Sequence, residues 1–238
     1  VRFTDTDPDL TGFERMGDVT LSENAVLDAS GRGGGRIFIR GGKIVAETGR
    51  IRSDTLEDQD GLGIAIDCES LLLNDGSRIT TASYGSGGGG DISVRANTVE
   101  LKGKNPIHLS ESEISTITDS IESDAGTGGE IQIDAEEILL EDGGFVHAVS
   151  KGTGNGGDIT VRAGKHIRLS GNNAFGDGSF ISCQSEASGR SGDVRVETGD
   201  LEMRDGGQIF SVTVGTGDSG NVTVNAGGKV TMEGTAIS

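Results

Sequence analysis

Apolar and polar positions alternate along this chain in short bursts of three to five residues, each entered through a glycine. The pattern Gly-x-[Ile/Val]-x-[Ile/Val/Leu] recurs as Gly17-Asp18-Val19-Thr20-Leu21, Gly35-Arg36-Ile37-Phe38-Ile39 and Gly90-Asp91-Ile92-Ser93-Val94. It returns at Gly129-Glu130-Ile131, Gly157-Asp158-Ile159, Gly192-Asp193-Val194 and Gly220-Asn221-Val222, and one residue shorter at Gly63-Ile64-Ala65-Ile66. The first apolar positions are 19, 37, 64, 92, 131, 159, 194 and 222, spaced by 18, 27, 28, 39, 28, 35 and 28. Alternation of this length predicts half-buried strands. A second burst follows in each repeat, as in Leu71-Leu72-Leu73, Ile138-Leu139-Leu140 and Ile167-Arg168-Leu169. A corner comes next, often Asp-Gly (Asp75-Gly76, Asp142-Gly143, Asp205-Gly206), and then a third burst such as Arg78-Ile79-Thr80 or Phe180-Ile181-Ser182. Gly, Asn and Asp supply the positive φ that sharp corners demand.

Three short strands and three corners in about 28 residues make one coil of a solenoid, which buries its inward side chains only by stacking on its neighbours. The expected fold is therefore all-β: a right-handed parallel β-helix of about eight coils with three short strands per coil, a rod on the order of 40 Å long. A β-sandwich of short strands is the competing architecture, and the fixed order of three strand types argues against it. Residues 1–16 read as an N-terminal cap or lead-in, and residues 17–238 as a single repeat domain.

Composition sharpens this picture. The 42 glycines would suggest disorder if they had no period. With no Trp and one Tyr, the core must be Ile, Val and Leu. A net charge of −18 argues against nucleic acid and against anionic membrane surfaces as partners. No apolar run is long enough to insert in a membrane. Beginning at Val1, the chain reads as a processed or excised piece. Cys68 and Cys183 fall in different repeats, three or four coils apart, beyond disulfide reach; two free, buried thiols are expected.

Gly-Gly-Asp-Ile-Thr-Val, then Ile-x-Leu-x-x-Gly, then a third strand ending in Ser before a Gly-rich turn, resembles the repeats of filamentous haemagglutinin-like exoproteins of the cyanobacterial type. The resemblance covers roughly residues 17–238. It implies a large secreted surface protein that crosses the outer membrane through a dedicated β-barrel partner. The family's amino-terminal secretion domain, with its Asn-Pro motifs, is not visible; Asn105-Pro106 lies within a repeat.

Two coils carry extra residues at the corner between the second and third strands, running Lys102 to Glu113 and Ser170 to Gly178. Solenoid insertions project from one face, where binding concentrates. Two coils apart, about 10 Å along the axis, they are expected to form one shared lip. Its candidate binding residues are Lys102, Lys104, Asn105, His108, Asn172, Asn173, Phe175 and Asp177. Ordinary loop variation is the plain alternative.

Other chemistry finds less support. The Gly-rich turns lack the Lys and the helix of a phosphate loop, and their Asp residues recur too sparsely for a calcium roll. Asp91, Asp158 and Asp193 are expected to bond their own turns. His108, His147 and His166 match no metal or triad spacing, and no carboxylate pair stands out for glycoside hydrolysis. Thr residues do not hold the register of an ice-binding array. No catalytic residue, metal or cofactor is therefore assigned. The expected function is a structural or adhesive stalk, or a fibre-forming segment, of a secreted cell-surface protein. Its expected partners are a surface protein or glycan, or a second copy added end to end through an uncapped last coil. A polysaccharide-binding or polysaccharide-degrading β-helix is the alternative.

Overall fold

The computed structural model describes residues 16–105, 110–173, 176–234 and 236–237. Among them every regular element is a strand. The strands of the coils form two sheets whose neighbours along the axis come from successive coils, all paired in parallel, and one two-stranded antiparallel pair lies apart from them. The chain is a parallel β-helix.

The inward residues form unbroken ladders. One runs Ile37, Ile64, Ile92, Ile131, Ile159, Val194 and Val222 in direct register. A second runs Ile44, Leu71, Val99, Ile138, Ile167, Leu201 and Val230. The other sheet contributes Ile51, Ile79, Ile114, Val146, Ile181, Ile209 and Ile237. Ile79, Ile138 and Ile181 are fully buried. In the final coil the same ladders open outward, with Val230, Met232 and Ile237 exposed.

The three strand segments expected per coil are arranged in only two sheets. The first and second segments run together as single long strands, among them Ile64–Asn74, Ile131–Glu141 and Val194–Arg204. Where the segments join, Ile66 and Leu71 both point inward, as do Ile133 and Ile138, although an odd separation puts residues on opposite faces of a regular strand; the strand bends there and so restores the phase. Ile159–Ser170 carries one residue more at the join than its neighbours, which shifts the register between Ala135 and Glu137 and between Ala163 and His166.

Two further ladders explain the glycines and the terminal hydroxyl of the third strand. Thr55, Ser83, Thr118, Ser150 and Ser185 stack in register, wholly buried. Each hydroxyl donates to a carbonyl of a Gly-rich turn: Thr55 to Gly88 at 3.1 Å, Ser83 to Gly87 at 2.5 Å, Ser150 to Gly154 and Ser185 to Gly189. Turn carbonyls that face the core are thereby satisfied. Cys183 lies two residues before such a hydroxyl, in a column with Thr116, Ala148 and Ser211. It packs there as a small polarizable group, and burial raises its thiol pKa. Cys68 is free as well but only half-buried, three coils away on the other sheet.

From Gly90 onward the glycine of the Gly-x-[Ile/Val] entry serves close approach to the coil before it and not positive φ, whereas a Cβ on Gly17 would meet nothing within 4 Å. A Cβ on Gly129, Gly157, Gly192 or Gly220 would lie 2.1, 1.9, 1.9 or 2.1 Å from the carbonyl oxygen of the corresponding glycine one coil back. Only at Gly63 in this series is φ left-handed. The aspartate that follows also reaches along the axis. Asp91 Oδ1 accepts the Glu130 N–H at 2.8 Å, Asp158 Oδ1 that of Asp193 at 2.7 Å, and Asp193 Oδ1 that of Asn221 at 2.8 Å. All three bond the next coil, whose backbone stacks directly above them, and Asp193 alone also bonds its own turn as expected, accepting from the Arg190 guanidinium. The Asn221 N–H chiefly holds the Asp193 carboxyl below its usual pKa.

Candidate functional site: the two inserted corners

In the short coils the corner between the second and third segments is a tight turn with two left-handed residues. Their φ values are 52° and 82° at Asp75-Gly76, 53° and 87° at Asp142-Gly143, and 47° and 87° at Asp205-Gly206. Positive φ at both central residues is the turn that Asp-Gly favours.

Both inserted corners share one base. Each opens on a left-handed glycine, Gly103 or Gly171. Each closes on a buried serine, Ser112 or Ser179. Ser112 Oγ donates to the Lys102 carbonyl at 2.7 Å, and Ser179 Oγ to the Ser170 carbonyl at 3.0 Å. The same oxygens accept the N–H groups of Gly76 and Gly143, each at 3.1 Å, from the corner one coil back. Extra chain is thus admitted between a glycine and a serine while the stack beneath stays continuous.

Above that base the corners differ. In the first, Lys104–Asn105 and Ser110–Glu111 pair antiparallel as a small hairpin. In the second, Asn172 bridges Gly178, and three hydrogen bonds through side chain and backbone join Asn173 and Asp177. Asn173 Nδ2 donates to Glu111 Oε1 at 2.9 Å. Two corners separated by a full coil are joined by this contact. It crosses the Asp142-Gly143 turn, which must be glycine to let it pass: a Cβ on Gly143 would sit 2.7 Å from Asn173 Cβ. On the other side Asn172 lies over Gly206, where a Cβ would be 2.5 Å from its Oδ1. Asn173 is consequently 7% exposed although it belongs to a projecting loop.

The expected site residues separate into distinct groups. Asn173 is a buried fastener, and Asn172 and Asp177 are exposed on the prominence. Lys102 lies at the end of the strand Thr98–Lys102, its ammonium 2.7 Å from Glu100, and that hydrogen bond raises its pKa. Lys104 and Asn105 form the outgoing strand of the hairpin. His108 and Phe175 lie outside the described residues. Sequence reasoning missed Glu111, Ser112, Ser179 and Gly143. The Gly103 to Ser112 and Gly171 to Ser179 framing was a legible signal; the cross-coil bond from Asn173 was not.

Beside the first corner, Glu113 is 5% exposed and its Oε1 lies 2.5 Å from Arg78 Nε. Burial raises its carboxyl pKa, against the pull of Arg78. Among the described residues no three potential metal ligands converge.

The fold and its site define a class: a parallel β-helix rod bearing one composite prominence built from two insertions. In comparison with known proteins, no family model, no curated protein and no solved structure matches the chain.

Proposed function

We propose that this chain is a rod-like structural and adhesive segment of a large secreted cell-surface protein of the filamentous haemagglutinin-like type. The observation that carries this reading is the Asn173–Glu111 bond. It makes one shaped feature from two insertions on a rod that is otherwise built for regular stacking. A rod sets that feature at a distance from its anchorage, and the prominence contacts a surface protein or glycan. Export through an outer-membrane β-barrel partner follows from the resemblance of the repeats.

The test replaces both insertions by the Asp-Gly corner of the neighbouring coils. Beads coated with either protein are then scored for adhesion to immobilised glycans and to cultured cells. Loss of adhesion with an unchanged circular dichroism spectrum supports the reading; equal adhesion by both proteins overturns the role of the lip. Electron microscopy at rising concentration reports in parallel whether copies add end to end.

A further inference from the structure

Among the described residues three buried side-chain polar atoms without a hydrogen-bond partner sit together: Ser115 Oγ, His147 Nε2 and Ser182 Oγ. Ser115, His147 and Ser182 are direct neighbours across three strands, Glu113–Thr118, Phe145–Ser150 and Phe180–Ser185. They alternate with the inward Ile114, Val146 and Ile181 and so face outward. Even so, Ser115 is 1% and Ser182 0% exposed, and His147 between them is partly buried. Phe145 and Phe180 stack on each other at 4.5 Å, and the imidazole packs edge-on against that pair, its centroid 6.1 Å from that of Phe145 and 5.8 Å from that of Phe180. Glu113 and Phe180 directly follow the serines that close the two inserted corners.

We propose that this face is an acid-sensitive joint of the rod. When His147 takes a proton, these three strands loosen together and release the two inserted corners from each other, while the flanking coils stay folded. The joint works whether or not the lip binds a partner.

The charged groups around the ring do not welcome an imidazolium. Glu113 on its own strand is committed to Arg78. Lys151, directly after His147's strand, repels a second cation, although burial is the larger reason that the ring pKa falls to about 4. Glu111 and Asp177, on the corners, are engaged with Asn173. The imidazole therefore gains its proton by leaving the face. Opening stays local because each coil of a solenoid contacts only its neighbours. The sign follows from linkage: a histidine depressed when folded contributes stability above its unfolded value of 6.5, and that stability is lost as pH falls toward about 4. Glu113 acts in the opposite sense, since its raised carboxyl pKa favours the folded face as acid neutralises it.

Hydrogen exchange of the whole chain between pH 7 and 4, corrected for intrinsic rates, tests the joint. Opening of residues 113–118, 145–150, 170–173, 176–179 and 180–185 is expected to rise up to tenfold per pH unit below about 6.5, reaching on the order of a hundredfold. The strands Ile64–Asn74 and Val194–Arg204 are expected to change far less. His147→Phe, which places a ring already present two positions along the same column at Phe210, should abolish the acid response; His147→Gln serves if that variant does not fold. Ser182→Ala should keep the response. Uniform exchange along the rod, or an acid response that survives both His147 variants, overturns the proposal.

Discussion

Two adjacent glycines, Gly156 and Gly157, should respond oppositely to the same substitution. A Cβ on Gly157 would stand 1.9 Å from the carbonyl oxygen of Gly129, whereas one on Gly156 has nothing nearer than 3.5 Å. Neither residue has a left-handed φ, so backbone strain does not separate them. Cβ contacts under 3.0 Å are essentially unknown, so Gly157→Ala must widen the gap between two coils by at least 1.1 Å (3.0 minus 1.9). The hydrogen bonds beside that gap, from Gly128 N to Asn155 O at 2.8 Å and from Ile131 N to Asp158 O at 2.9 Å, would stretch past useful length. Two such bonds at about 1 kcal/mol each, with about 1 kcal/mol or more of overpacking, give a loss of about 3 kcal/mol. A protein of this size should melt roughly 6–12 °C lower. Gly156→Ala should lie within about 0.5 kcal/mol of wild type, or gain slightly by restricting the unfolded chain. Urea denaturation followed by circular dichroism measures both, compared by midpoint at equal slope. A Gly157→Ala protein as stable as wild type, or a Gly156→Ala protein equally damaged, would refute the close-approach explanation of the repeat's glycines.

Three other outcomes follow from the same structure. Ser150→Ala strands the inward carbonyls of Gly152 and Gly154 and should cost about 1–3 kcal/mol in the same urea assay, while Ser150→Thr is tolerated because Thr118 occupies that column. Iodoacetamide at pH 8, read by mass spectrometry, should label Cys68 slowly, its thiol pushed up to about 11 by burial, and Cys183 only after denaturation; rapid native labelling of Cys183 would contradict its place in the core. Arg168 spans Glu141 at 3.9 Å and Glu202 at 2.9 Å on the outer surface. Arg168→Gln should nevertheless cost under about 1 kcal/mol and less still in high salt; a salt-independent loss above about 3 kcal/mol would show that this ladder is a main support of the stack.

By itself the sequence determined the coil. Its period placed Ile37, Ile64, Ile92, Ile131 and Ile159 in one ladder, and the pairing register agrees; Val19, read as the start of the same series, instead pairs with Ile44 in the second ladder. It also located both insertions, because extra residues interrupt a repeat visibly. What it left open concerns the axis of the rod, where paired neighbours lie 24 to 39 residues apart. The merging of two strand segments into one shows only in the paired backbones, which stay hydrogen-bonded through the join. The glycines before Ile131 and Ile159 read as turn formers, yet stacked carbonyls impose them. Asp91 and Asp158 read as local turn caps, yet they bond the next coil. Asn173 and His147 read as a loop residue and a scattered histidine. Only the stacking of separate coils brings Asn173 to Glu111 and Phe180 against Phe145 and His147. Hydrophobic period is a property of one strand and is written along the chain. Close approach and burial are properties of neighbouring coils, so the tertiary structure decided them.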